Sequence, residues 1–221
     1  MMKRIGILFT LFTFLGCSAK GNYANTTRFH DDGRAKPIVA LVPVFDRSES
    51  HPGWSLSEEF TDRLKNRLMK RKNFYVSIPS DIHTAVADLA AEHHPFVADI
   101  SWVKEVFDSH EYVVFTELVE HEIRPKERAG NLPTKITPSS ELAMTMRIRV
   151  FDLRGTYPAI ILQEFIRQNH LIPKPINLTD PDPDHWKKIT YGLSPIGLAH
   201  AQLSREAVKR IEDYILLSNS K

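Results

Sequence analysis

The chain of 221 residues has a single cysteine, Cys17. No disulfide can therefore staple the fold from within, and the core must hold by burial alone. No apolar run reaches the roughly 20 residues that a bilayer-spanning helix needs. Charge of one sign is also lacking: 29 Lys and Arg stand against 27 Asp and Glu. Such near neutrality argues against nucleic acid as a partner, since phosphate binding needs a concentrated positive patch. No internal repeat is visible. No G-x-S-x-G, P-loop, H-E-x-x-H or C-x-x-C occurs, so the common signatures of hydrolases, NTPases, zincins and thiol redox proteins are missing. The remaining composition, 42% hydrophobic and 25% charged, is that of a globular domain.

What is present begins at the N-terminus. Lys3 and Arg4 precede an apolar run, Ile5 to Leu15, which has the length of a signal-peptide core. Residues 1–16 hold two basic residues and no acidic one, so without them the count is 27 against 27. The sequence Phe14-Leu15-Gly16-Cys17 resembles the lipobox of bacterial lipoproteins, with Phe14 and Leu15 departing from its commonest form. The resemblance implies cleavage between Gly16 and Cys17 and a diacylglyceryl thioether on the Cys17 sulfur. It also implies acylation of the new amino group. Ser18, in place of an Asp at that position, implies sorting to the outer membrane. Two or more acyl chains anchor stably where one holds only marginally.

Residues 17–36 are then expected to form a lipidated flexible tether. As a coil, residues 18–36 would span about 25 Å. His30, Asp31 and Asp32 within it read as solvated linker rather than metal ligands, because no spaced second ligand set follows. Residues 37–221 are expected to form one periplasmic domain. "PIVALVPVFD" (37–46) predicts a buried strand. Ser55 and Glu58 fit a capping box, and Leu56, Phe60, Leu64 and Leu68 mark an amphipathic helix. "NFYVSIP" (73–79) predicts a strand, Asp81 opens a second helix ending near His93-His94, and residues 98–111 hold a short helix around Trp102. The helix-ending "RLKNRLMKRK" reads as a solvated basic face.

Residues 112–123 predict a strand. Residues 141–153 alternate between Leu142, Met144, Met146, Ile148 and Val150 and the set Ala143, Thr145, Arg147 and Arg149, which predicts one buried and one wet face. A turn at 152–155 leads into a hairpin partner over 157–172. The last helix is expected over about 195–217, with Leu198, Ala201, Val208, Ile211 and Ile215 inward. The fold class is therefore α/β (α+β): a mixed sheet of about five strands in the order β-α-β-α-(α)-β-β-β-α, with helices packed on it.

Three polar clusters receive plain readings. Glu120, His121 and Glu122 are a polar strand end at the surface. His93 and His94 favour a helix C-terminus. "TDPDPDH" (179–185) is an extended loop, lacking the Gly and closing Glu of a calcium loop. No metal, cofactor or catalytic residue is assigned. Trp54 and Trp102 default to core, as does Trp186.

"IVALVPVFDRSE", the helix after it, "NFYVSIPSDI", "EYVVFTELVE" and "MRIRVFDLRGTYPAIILQE" together resemble the superfamily of the TolB N-terminal domain, CsgG and LpoB. Thr116-Glu117, where Gly is common, and the long Pro/Asp loop over 173–188 depart from its pattern. The resemblance implies a non-enzymatic domain that binds other envelope proteins, as a cell-wall synthase activator or secretion accessory does. The resulting expectation is an outer-membrane-anchored periplasmic lipoprotein that binds another envelope protein, with a small-molecule or lipid-binding lipoprotein as the alternative. A CsgG-like channel is excluded by the polar, Pro-rich 124–141 segment.

Overall fold

A computed structural model of the chain describes residues 28–77, 94–125, 140–172 and 182–220. One mixed sheet organises them, with strands in the order β3-β1-β4-β5-β6 and a short β2 also paired to β4. β1 (Ile38–Leu41) lies between β3 (Tyr75–Ser77) and β4 (Tyr112–Pro125), parallel to both. β4, β5 (Ser140–Asp152) and β6 (Ala159–Ile172) form the antiparallel meander read from the sequence. The α+β class is thus as expected, with six strands rather than five.

The extra strand comes from a break in the first. The expected strand over 37–46 divides into β1 and β2 (Phe45–Asp46), both paired to β4. Pro43 sits in the gap, where it has no amide to offer the ladder. The neighbouring Val44 finds partners on α1 (Leu56–Arg71): its N–H donates to Thr61 Oγ1 at 2.8 Å, and its carbonyl accepts from Ser57 Oγ. The break therefore locks the helix onto the strand.

α1 begins at Ser55, whose hydroxyl accepts from the Glu58 amide at 3.2 Å. It ends on Lys72 in the left-handed region, with Lys70 and Arg71 in the last turn. The last helix, α4 (Pro195–Asn219), is capped by Ser194 and has Pro195 in its first turn, both favourable there. Both helices cover one sheet face. Phe60, Leu64 and Leu68 of α1 and Leu203, Ala207 and Ile211 of α4 meet Val39, Tyr112, Val114, Met144, Met146 and Ile148. Leu198 of α4 is 55% exposed, and the buried stripe runs instead through Ile196, Ala199, His200 and Leu203. The expected inward phase is thus wrong by one residue over the first turn. The apolar Leu198 misled it, while the true face includes a histidine.

The opposite sheet face is not wet, contrary to the alternation in β5. It carries Ala40, Val42, Val113, Phe115 and Phe151, covered by Phe96, Trp102, Val103 and Phe107 from the 94–107 segment. This segment contains α2 (Trp102–Val106), the short helix expected there. Arg149 is buried beneath it. Its guanidinium donates to the carbonyls of Pro95 at 2.9 Å, Val97 at 2.8 Å and Phe96 at 3.3 Å, and to Gln163 Oε1 at 2.8 Å. Arginine can be buried in this way because its forked donors satisfy several carbonyls at once. A charged residue in a period-2 pattern therefore did not mark a solvent face.

Ordered structure also begins before residue 37. Phe29 and Ala35 bridge in antiparallel fashion around a turn at 30–33, and Lys36 is buried. Asp32 in this turn pairs with Arg34 at 2.7 Å. The signal segment, Gly16, Cys17 and Ser18 lie outside the described residues. The same holds for the helix opened by Asp81, for His93, and for most of the 124–141 loop and the 173–188 loop.

Candidate functional site

Four elements converge where β4 leaves the sheet's centre. A β-bulge makes this possible. Leu118 pairs with Met146 and Glu120 with Thr145, so Val119 is an extra residue in β4. Across that bulge the inward phase shifts by one. Leu118 faces the helices, and so does His121, which is opposite Met144. His121 is therefore 3% exposed rather than a surface residue. Its polar neighbours Glu120 and Glu122 do face outward, as expected, and both bind Arg124, at 2.5 and 2.9 Å.

His121 belongs to a continuous chain of hydrogen bonds. Its Nδ1 is 2.9 Å from Ser50 Oγ, and its Nε2 is 2.9 Å from Nε2 of His200 on α4. His200 Nδ1 is 3.0 Å from Glu59 Oε1 on α1. Glu59 and His200 are completely buried. Glu59 also accepts from Trp54 Nε1 at 2.8 Å, from Arg63 Nε at 2.7 Å and from the Tyr191 hydroxyl at 3.0 and 3.1 Å. Tyr191 belongs to α3 (Ile189–Gly192), a single turn that packs on α4 at Gly197.

The electrostatics follow from this geometry. Burial pushes the Glu59 carboxyl up, but His200, Arg63 and the indole of Trp54 outweigh it and bring it to about 2. Glu59 is then an anion that only accepts, so His200 Nδ1 carries a hydrogen toward it. Burial and the neighbouring His200 push His121 down to about 3. Burial, and Glu59 beside it, push the Tyr191 hydroxyl up, so it stays a donor. A single hydrogen occupies the contact between the two imidazoles. Its place sets the direction of the next bond: on His121 Nε2 it leaves Nδ1 to accept from Ser50, and on His200 Nε2 it leaves His121 Nδ1 to donate to Ser50.

At that surface lies an open hollow of about 690 Å³, lined among others by Arg47, Ser50, Glu120, His121 and Arg124. Its Arg124 is committed to the two glutamates. His121 has too low a basicity to take a proton near neutral pH, where a general base needs a pKa close to the working value. The network chiefly ties α1, α3, α4, β4 and the 47–54 loop together.

Sequence reasoning singled out His121 but missed its partners. The available signal was positional: Glu59 lies beside Phe60 on the apolar stripe of α1, and His200 beside Ala199 on that of α4. Among the described residues no group of three His, Cys, Asp or Glu could hold a metal. Asp182 and Asp184 instead pair with Lys188 and Lys187, both at 2.6 Å. His94, expected at a helix end, lies in a turn with Nε2 3.5 Å from Glu117. Trp54 and Trp102 are core, and Trp186 packs partly buried against it.

A second feature is the outer edge of the sheet. β6 is 14 residues long and, among the described residues, pairs only with β5. Its register places Ile160 opposite Phe151, Phe165 opposite Arg147 and Leu171 opposite Glu141, all on the face away from α1 and α4. The 94–107 layer does not extend over them, and they are 42%, 51% and 48% exposed.

These features define a class: an α+β domain on a mixed sheet, clamped by a buried polar network and, among the described residues, open along the β6 edge. The chain belongs to the DUF7499 family, a family of unknown function, which it matches over residues 25–219. Among solved structures it is similar to the hypothetical protein CT253 from Chlamydia trachomatis. The two are 27% identical with a TM-score of 0.65, over 82% of this chain and 98% of that one. Slighter likenesses are to lipoprotein GNA1162 from Neisseria meningitidis and to the LpoB C-terminal domain from Salmonella enterica. The first has 11% identity and a TM-score of 0.44, over 80% of this chain and 99% of that one. The second has 15% and 0.37, over 62% and 86%. No curated protein matches the chain. No helix among the described residues is long and apolar enough to cross a membrane.

Proposed function

We propose that this protein is a lipoprotein of the bacterial outer membrane, anchored through Cys17, whose folded domain binds an extended segment of another envelope protein without catalysing a reaction. The TolB, CsgG and LpoB resemblance in the sequence belongs to the same reading. The observation that carries the binding role is the uncovered β6 edge. Among the described residues its outer backbone donors and acceptors have no strand beside them, and an added strand would satisfy them. Ile160, Phe165 and Leu171 supply apolar contact on one face, and Arg147 and Arg167 flank the Phe165 ring at 5.4 and 5.9 Å. The strand is also too polar for self-association by a continuous apolar face: Gln163, Glu164, Arg167, Gln168 and Asn169 intervene. The depressed basicity of His121 and the self-neutralised hollow beside it support the non-enzymatic part.

The test is site-specific photo-cross-linking in cells. A photoreactive residue is placed at 160, 165 or 171, and for comparison at the exposed Leu216 or Leu217 of α4. The same envelope protein should be captured from at least two β6 positions and from neither α4 position. Equal capture from both surfaces, or none from β6, overturns the reading.

A further inference from the structure

The face formed by α1 and α4 away from the sheet holds an unusual concentration of positive charge for a chain so nearly neutral. Arg67, Lys70, Arg71 and Arg205 line a hollow of about 340 Å³, with Val208 as its apolar floor. Arg67 and Lys70 also line an adjoining hollow of about 460 Å³, which runs past Arg63 to Lys187 and Lys188. The two hollows share residues and form one groove.

The cations of this groove divide into two sets. Arg63 is committed to Glu59, and Arg71 to Glu212 at 3.2 Å. Lys187 and Lys188 are committed to Asp184 and Asp182. Arg67, Lys70 and Arg205 meet no carboxylate among the described residues. Arg67 is half-buried between its neighbours. Burial first, and then Arg205, Arg63 and Arg71, disfavour its charge. Lys70 and Arg71 gain from the C-terminal dipole of α1, but Arg67 lies earlier and forms like-charged i,i+4 contacts with both Arg63 and Arg71. Glu59 and Glu212 neutralise Arg63 and Arg71, and Asp62, which lines the adjoining hollow, accepts from Asn66, but no carboxylate among the described residues pairs with Arg67 itself.

The geometry points to an anion site: the α1–α4 groove binds a phosphate-bearing group, with Arg67 and Arg205 as paired guanidinium ligands and Lys70 as a third cation. Guanidinium forks match phosphate oxygens two at a time, and clustered cations favour a multiply charged group. The volume suits a headgroup or a small phosphate compound. An acidic peptide fits less well, because among the described residues the groove offers side-chain anchors only Val208 in the first hollow and Trp186 in the second.

The test uses the full chain purified in detergent, titrated calorimetrically with inorganic pyrophosphate at low and moderate salt. Saturable binding is expected, weakening as salt rises, and Arg67→Gln/Arg205→Gln should weaken it at least tenfold. Pyrophosphate should raise the melting temperature of the wild type and not that of the double variant, which should itself melt no lower than wild type because repulsion has been removed. Competition from micelles doped with phosphatidylglycerol assigns the group to a lipid headgroup, and lack of competition assigns it to a soluble phosphate; either result supports the site. Absence of saturable binding, retention within twofold in the double variant, or binding of a poly-glutamate peptide where pyrophosphate fails overturns it. This outcome is independent of what the β6 edge binds.

Discussion

His121 should make the protein acid-labile well above the range in which carboxylates titrate. In the folded chain it is held neutral down to about pH 3 by burial and by His200. Unfolded, it titrates near the ordinary histidine value of about 6.5. Between these values the unfolded state binds a proton that the folded state refuses, so stability rises with pH across that window and falls on acidification. From pH 7 to pH 5 this one imidazole costs about 2 kcal/mol, a large part of the roughly 5–15 kcal/mol that holds a domain together. With a urea slope of about 2 kcal/mol per molar, the unfolding midpoint should fall by about 1 M between the two pH values. Substitution His121→Gln keeps a donor and an acceptor near Ser50 and His200 but removes the titration. His110 and His170, whose basicity burial also lowers, contribute equally in both proteins. The variant's midpoint should therefore depend on pH less steeply than wild type, by about that amount. Parallel curves for the two proteins would refute the reasoning, because the folded state would then not be excluding a proton at His121.

Other consequences follow from the same contacts. Glu59→Gln puts one acceptor oxygen and a donating amide where a carboxylate accepts from four donors, and leaves Arg63 without its counter-charge; a loss of about 3–5 kcal/mol in urea unfolding is expected. Gly197→Ala would place a Cβ 2.0 Å from the Tyr191 carbonyl oxygen, so α3 must move and draw Tyr191 from Glu59; a cost of about 1–3 kcal/mol or more should show in thermal melts. Arg149→Leu strands the carbonyls of Pro95, Phe96 and Val97, costing about 1–3 kcal/mol, and limited proteolysis should then cut first near those residues.

Regular features were legible in the sequence where one signal acted alone. The capping serine and four-residue spacing of α1, the antiparallel meander and the tight turn at 152–155 all appeared close to where they were read. The turn is further fixed by Arg154, which bridges Asp152 and the C-terminal end of α4. Legibility failed where a tertiary contact overrode a local pattern. Arg149 looked solvent-facing until the 94–107 segment supplied carbonyls for it. His121 looked like a surface residue because nothing in "ELVEHEI" announces a bulge at Val119. Glu59 and His200 look like ordinary breaks in apolar stripes, and their pairing joins residues 141 positions apart. The β6 edge was invisible for another reason: strand order, rather than strand content, decides which strand remains unpaired.

The compartment rests on Cys17, and so does the meaning of every exposed surface considered above. The most direct test is intact-mass analysis of the mature protein isolated from the membrane fraction. The account predicts a chain beginning at Cys17, carrying the mass of a diacylglyceryl group and an additional acyl group, and lost from the membrane fraction in Cys17→Ala. A mature chain that retains residues 1–16, or an unmodified Cys17 in a protein that still fractionates with the membrane, would contradict it.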